Sequence, residues 1–221
     1  MSQDLLECIE VDTGANPAHT VIWMHGLGAD GNDFLPIVPE LRLQTPVRFI
    51  FPNAPVAPVT INGGMAMRSW YDILVMDLVR QEDAQGIRAS EAAIRQLIAR
   101  ENARGIPTSR IVLAGFSQGC AMVLHISLRL PERLAGVVGL SGYLPLIDSA
   151  EAERLPANAE TPIFLAHGLH DPVVALPRAE ASRDKLQSLG YPVQWRTYPM
   201  PHSVCMEEVE DIGAFLRDVL R

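Results

Sequence analysis

Three residues of this 221-residue chain have the types and the order for nucleophilic acyl chemistry: Ser117, Asp171 and His202. Ser117 is the centre of Gly115-Phe116-Ser117-Gln118-Gly119, a G-x-S-x-G pentapeptide. A serine hydroxyl attacks a carbonyl carbon only when a base removes its proton, and the base needs an acid to orient it. Asp171 supplies the acid in Leu169-His170-Asp171-Pro172-Val173-Val174, and His202 the base in Pro199-Met200-Pro201-His202-Ser203-Val204. The chain order is serine, acid, histidine, as expected where a nucleophile sits on a sharp strand-to-helix turn. Such a reaction builds an oxyanion that needs backbone donors. The Gln118 amide, next to the nucleophile, is one candidate. The Leu27 amide in His25-Gly26-Leu27-Gly28-Ala29-Asp30 is the other, and that loop lacks the glycine spacing and the lysine of a phosphate loop.

The pentapeptide alone would occur by chance in roughly one chain of this length in ten, so its flanks decide. Arg110-Ile111-Val112-Leu113-Ala114 before it reads as a buried strand. Gln118 to Arg129 after it, free of proline and rich in Ala, Met, Leu and Ile, reads as a helix. A side chain at Gly115 or Gly119 would strike neighbouring backbone in so tight a turn, and the helix N-terminus would face the developing negative charge. Rival acids and bases fit less well. Asp148 lies in a solvated Ser/Ala/Glu stretch, and Asp211 and Asp218 lie on a helix. His167 and His170 precede the acid and read as supporting groups, His125 is inside a helix as a packed polar residue, and His19 is on a turn and expected to be exposed.

The elements that must position these groups alternate along the chain. Strands are expected at Leu6 to Val11 (weakly), Thr20 to Met24, Val47 to Phe51, Ile111 to Ala114, Gly136 to Leu140, Pro162 to Ala166 and Val193 to Tyr198, the last near a sheet edge. Most are continuously apolar, as strands covered on both faces are. Helices are expected at Gly86 to Arg104, Gln118 to Arg129, Pro177 to Ser188 and Glu207 to Leu220. This alternation predicts an α/β fold, with a mostly parallel central sheet and helices on both faces, in one domain over residues 1–221. Asp171 and His202 then fall just past C-terminal strand ends, where open α/β sheets place their sites. Pro52 to about Glu82 reads as a long irregular excursion of functional kind. Its apolar members Ile61, Met65, Met67, Trp70, Ile73, Leu74, Val75 and Met76 suit an acyl groove, or ordinary core and dimer packing.

A net charge of −8 gives no electrostatic support for nucleic-acid binding. No apolar run approaches the 18 residues of a membrane span, and the mixed, acidic N-terminus is not a signal peptide. Cys8, Cys120 and Cys205 are odd in number and widely spaced, which argues for a reducing, cytoplasmic setting. Cys120 reads as a small apolar helix residue.

His25-Gly26-Leu27-Gly28, the Ser117 pentapeptide, His167-Gly168-x-x-Asp171-x-Val173-Val174 and the Tyr198-to-His202 block together resemble the bacterial carboxylesterase/acyl-protein thioesterase family. So does Pro52-Asn53-Ala54-Pro55 through Ile61-Asn62-Gly63-Gly64 to Ser69-Trp70-Tyr71-Asp72. The resemblance implies an α/β-hydrolase fold without a large lid, and hydrolysis of esters and thioesters without metal or cofactor. It implies Ser117 as nucleophile, Asp171 as acid, His202 as base, Leu27 and Gln118 as oxyanion donors, and an acyl-side wall near Trp70, with Met65, Ile73 and Leu74. The implied substrates are small esters, acyl-thioesters or acylated proteins, and a homodimer is compatible with the apolar loop. Two positions depart from the family pattern. Arg68 stands where proline is usual and is expected to add a charge at the pocket mouth, and Pro201 precedes His202 where glycine is usual. Cysteine-dependent lactone hydrolases are disfavoured by Ser117, and peptidases by the chain length. A catalytically silent binding protein of the same fold would have lost a triad member, and all three are present.

Overall fold

The computed structural model describes residues 5–75 and 82–221. In chain order the elements are β1 (Cys8–Asp12), β2 (His19–Met24), β3 (Val47–Pro52), β4 (Val56–Val59), β5 (Met65–Arg68), α1 (Ala84–Ala103), β6 (Ile111–Phe116) and α2 (Gln118–Arg129). They continue with β7 (Gly136–Leu140), α3 (Ala150–Glu153), β8 (Ile163–Gly168), α4 (Leu176–Ser188), β9 (Val193–Tyr198) and α5 (Met206–Val219). Seven strands form one sheet in the order β1-β3-β2-β6-β7-β8-β9. Only β1 runs antiparallel, against β3; the other pairings are parallel.

Side chains alternate across a strand, so each central strand feeds two cores. Val21 and Trp23 of β2 join Phe49, Phe51, Val112 and Ala114 on one face, under Val209, Ile212, Phe215 and Leu216 of α5. Ile22 and Met24 join Ile50, Ile111 and Leu113 on the other, against Ile87, Ile94 and Leu97 of α1 and most of α2. Burying one such side chain is worth about 1.5–3 kcal/mol. Every described residue of α2 is buried, which explains its apolar sequence.

The expected strands and helices occur within two residues of their sequence bounds at most ends. His19 is not on an exposed turn: it opens β2, opposite Val47, and is buried. The excursion from Pro52 is partly regular, because β4 and β5 pair as a hairpin with Val59 opposite Met65 and Val56 opposite Arg68. Four-residue strands, one carrying Pro58, leave little alternation to read, while Gly63 and Gly64 at φ +68° and +80° close the turn. Met76 and the rest of 76–81 lie outside the described residues.

The topology sets the site. β2, β6, β8 and β9 are parallel members of one sheet, so the loops that follow them emerge at one edge. Those loops carry Leu27, Ser117, Asp171 and His202. With β6 between β2 and β7, the serine leaves from the middle of that edge.

Candidate active site

Ser117 occupies a backbone conformation that L side chains rarely adopt, φ 56° and ψ −116°. It directly precedes α2, yet its hydroxyl does not cap the helix. The turn is held by close approach. A Cβ on Gly115 would lie 2.3 Å from the Gly119 backbone, and one on Gly119 would lie 2.1 Å from the Met24 carbonyl oxygen. Neither position can carry a side chain without moving backbone. The Ser117 amide donates to the Leu140 carbonyl at 2.9 Å, tying the turn to β7. Gly142 closes the turn from below, since a Cβ there would meet Cys120 at 2.4 Å and the Ser117 carbonyl at 2.7 Å. Cys120 is buried, and burial pushes its thiol well above the ordinary range, so it is not a competing nucleophile.

His202 Nδ1 donates to Asp171 Oδ2 at 2.6 Å. The Asp171 side chain is fully buried, and its other oxygen accepts the Val173 and Val174 amides at 2.8 and 2.9 Å. The carboxylate therefore has a fixed orientation and one oxygen for the imidazole. The His202 ring packs on Phe116, 4.7 Å between centroids, which sets it beside the residue that precedes Ser117. The loop before it is a compact turn: the His170 amide donates to the Met200 carbonyl at 3.1 Å, and the Ser203 amide to the Pro201 carbonyl at 2.9 Å. Pro201, which has no amide to satisfy, fits this turn.

The loop after β2 abuts the elbow, because a Cβ on Gly26 would lie 3.3 Å from Ser117 Cβ. Among the described residues, the Leu27 amide donates to no protein acceptor. Gln118 contributes through its side chain as well. Its Oε1 accepts the Trp70 amide at 2.9 Å and its Nε2 donates to the Tyr71 carbonyl at 2.7 Å, binding the 69–71 segment to the start of α2.

The residues predicted as an acyl wall are dispersed. Trp70 is 2% exposed, with its indole N–H donating to the His25 carbonyl at 2.9 Å. It lies against the loop after β2 and lines a groove of about 460 Å³ shared with Pro55, Pro58, Ala89 and Ala93, which neither Ser117 nor His202 touches. Met65 is 64% exposed at the start of β5. Ile73 and Leu74 are half-buried just before the undescribed segment. Arg68 does not project a free charge at a pocket mouth: its guanidinium donates to the Ala54 carbonyl at 3.0 Å and faces Glu7 at 3.4 Å.

Two histidines besides His202 brace the loops that carry the candidate residues. His25 directly follows β2 and His167 is the penultimate residue of β8, each before a glycine; each is buried, and burial lowers the pKa of each. His167 Nε2 donates to the Val174 carbonyl at 2.8 Å, bracing the turn whose amides hold Asp171. His-Gly at a strand end is the sequence signal they share. His170 is exposed and His125 pairs with Glu91 at 2.9 Å between α1 and α2.

Glu208 lies in the first turn of α5, six residues past His202. Burial raises its carboxyl to about 8; the Cys205 amide opposes this and the charge of Asp211 adds to it. The folded protein thus keeps a proton that the unfolded chain releases near the ordinary value of 4.5. Stability falls as pH rises from that value towards 8. Glu208→Gln removes the dependence. Its melting temperature is expected to exceed that of the parent at pH 8 by several degrees and to converge with it near pH 4.5. Thermal melts across that range check this, and a gap independent of pH would contradict it.

The chain is similar to known proteins over nearly its whole length. The family model described as phospholipase/carboxylesterase matches residues 6–220. An acyl-protein thioesterase 1 of Neurospora crassa is 45% identical over 213 residues, covering 91% of this chain and 86% of the relative. One of Yarrowia lipolytica is 40% identical over 216 residues, covering 94% and 95%. The crystal structure of Zea mays acyl-protein thioesterase 2 superposes with a TM-score of 0.87 at 27% identity, covering 98% of this chain and all of the other. With its mostly parallel sheet and no lid domain among the described residues, the chain belongs to the phospholipase/carboxylesterase family of α/β-hydrolases and is a carboxylic ester hydrolase.

Proposed function

We propose that the chain cleaves esters and acyl-thioesters, acylated proteins among them, through a Ser117 acyl-enzyme. The observation that carries this reading is the 2.6 Å His202–Asp171 hydrogen bond, packed on Phe116 beside a serine held at φ 56°. His202 Nδ1 carries a proton to donate to Asp171, so neutral His202 has a free lone pair on Nε2 for the Ser117 proton. Ser117 Oγ attacks the acyl carbon, and the carbonyl oxygen becomes an oxyanion received by the Leu27 and Gln118 amides. Asp171 stabilises the imidazolium. The C–O or C–S bond breaks as His202 protonates the leaving alcohol or thiol, and water repeats the cycle on the acyl-enzyme. The acylated-protein substrate is supported by the relatives named acyl-protein thioesterase 1.

A fluorophosphonate probe, which phosphonylates an activated serine, tests the reading. One equivalent is expected on Ser117, located by peptide mass, and none on folded Ser117→Ala. A folded protein that hydrolyses p-nitrophenyl esters without labelling would sink the proposal. Action in a reducing, cytoplasmic compartment belongs to the same proposal, supported by three free cysteines. So does a homodimer through β4 and β5, supported by exposed Val56 and Met65. A monomer in sedimentation at micromolar concentration would exclude the dimer.

A further inference from the structure

A closed ring of hydrogen bonds surrounds the Leu27 amide. His25 Nδ1 donates to the Gly26 carbonyl at 2.7 Å. That carbonyl and the Leu27 N–H belong to one peptide plane, so fixing the first aims the second. His25 Nε2 accepts the Ala54 amide at 3.0 Å. The Ala54 carbonyl accepts from the Arg68 guanidinium at 3.0 Å. The Arg68 carbonyl in turn accepts the Gly28 amide at 2.9 Å, which returns the ring to the loop where it began.

We propose that Arg68 is a positioning residue of the oxyanion site: it joins the Ala54 peptide to the Gly26–Gly28 loop and so holds the Leu27 amide at the angle the oxyanion requires. The proposal rests on the reading of Leu27 as an oxyanion donor. Arg68 is the member that meets the ring through both backbone and side chain. Pairing with Val56 across the hairpin sets its register. Its backbone carbonyl takes the loop, and its planar guanidinium reaches the far side through Ala54. Without that donor the Ala54 carbonyl turns to water, the Ala54 amide tilts away from His25, and the imidazole is left with its Gly26 hydrogen bond and its packing on Trp70. The ring also needs His25 neutral, because a proton on Nε2 would oppose the Ala54 N–H. Burial lowers the His25 pKa, and the nearby Arg68 charge acts in the same direction. A second tie, from the Gly31 amide to Asn53 Oδ1 at 2.8 Å, anchors the far end of the loop, so loss of the Arg68 arm loosens the donor without freeing the whole segment.

The test compares Arg68→Met, Arg68→Lys and Glu7→Gln in the full-length enzyme with p-nitrophenyl butyrate. Arg68→Met keeps the apolar stem and removes the donors; kcat is expected to fall about tenfold with KM within twofold, because the loop acts on the transition state more than on bound substrate. Affinity for a trifluoromethyl ketone, whose hydrate anion occupies the oxyanion site, should fall in proportion. Arg68→Lys, with one donor able to reach Ala54, should recover most of both. Glu7→Gln removes the charge of the exposed ion pair, the Glu7 side chain being 76% exposed, while its amide oxygen can still accept from Asn53 Nδ2, and should match the parent. Where Arg68→Met does not fold, Arg68→Gln replaces it, being too short to reach Ala54. An unchanged kcat in the folded Met or Gln variant overturns the proposal. So does a loss shared equally by KM, or one reproduced by Glu7→Gln. Fluorophosphonate labelling of the parent at Ser117 separates the two readings. If the parent does not label, the triad reading fails. If it labels and the Arg68 variants behave as parent, only the present proposal fails.

Discussion

With alanine at position 117, ester turnover is expected to fall by about 10⁶-fold, the scale seen when a triad serine is removed and only binding and oxyanion donors remain. The protein should still fold. Alanine keeps the Cβ, the hydroxyl caps no helix, and the glycines that fit the turn are untouched. Backbone strain allows a sharper form of the prediction. A non-glycine residue at φ 56° and ψ −116° stores about 1–3 kcal/mol. Ser117→Gly should relieve part of it and melt several degrees above Ser117→Ala, while both are equally inactive. Progress curves with p-nitrophenyl esters, beside thermal melts of the three proteins, check both halves. An alanine variant with more than about a hundredth of parental turnover would mean that Ser117 is not the nucleophile. Equal melting of the Gly and Ala variants would mean that the elbow is unstrained.

The places of Ser117, Asp171 and His202 at strand ends were legible because their signals are local. Ser117 announces itself by two glycines that fit only where backbone meets backbone, and α2 begins and ends at the residues its proline-free apolar run suggests. Asp171 and His202 follow apolar strands, and parallel strands end together. What was not legible depends on contacts between distant segments. No local pattern announces that Arg68 turns from solvent to the Ala54 carbonyl, because Ala54 is an unremarkable residue in a proline-rich stretch. The inward turn of Trp70 is set by two partners 45 and 48 residues away, His25 and Gln118. A tryptophan in an apolar loop reads equally well as a wall or as a core residue, and hydropathy alone favours neither. The hairpin of β4 and β5 was missed for a different reason: strands of four residues with Pro58 inside carry too few alternations to be read.

Asp171→Asn is expected to cost about 10⁴-fold in turnover while leaving the fold intact, the size of effect that follows when a triad histidine is held in the wrong tautomer. The direction follows from which oxygen does what. Asp171 Oδ1 accepts the Val173 and Val174 amides, so in the asparagine variant the carbonyl oxygen must take that place, since an NH₂ group there would face two donors. The NH₂ group is then left opposite His202 Nδ1, 2.6 Å away in the parent. It can only donate, so Nδ1 must become the acceptor and the ring proton moves to Nε2, the nitrogen that should receive the Ser117 proton. The base is blocked although no heavy atom need move. Burial of the Asp171 side chain makes the preference firm, because no water is available to reverse the pairing. Fluorophosphonate labelling should slow in parallel with turnover, since both need the same proton transfer, and melting should change far less than activity. His167 gives an independent check. It braces the Val174 carbonyl behind the same turn, so His167→Leu should lower turnover in the parent and have little further effect in Asp171→Asn, whose base is already disabled. Labelling and turnover within tenfold of the parent would show that Asp171 does not orient the base. Full additivity of the His167 and Asp171 effects would place His167 outside this chain of contacts.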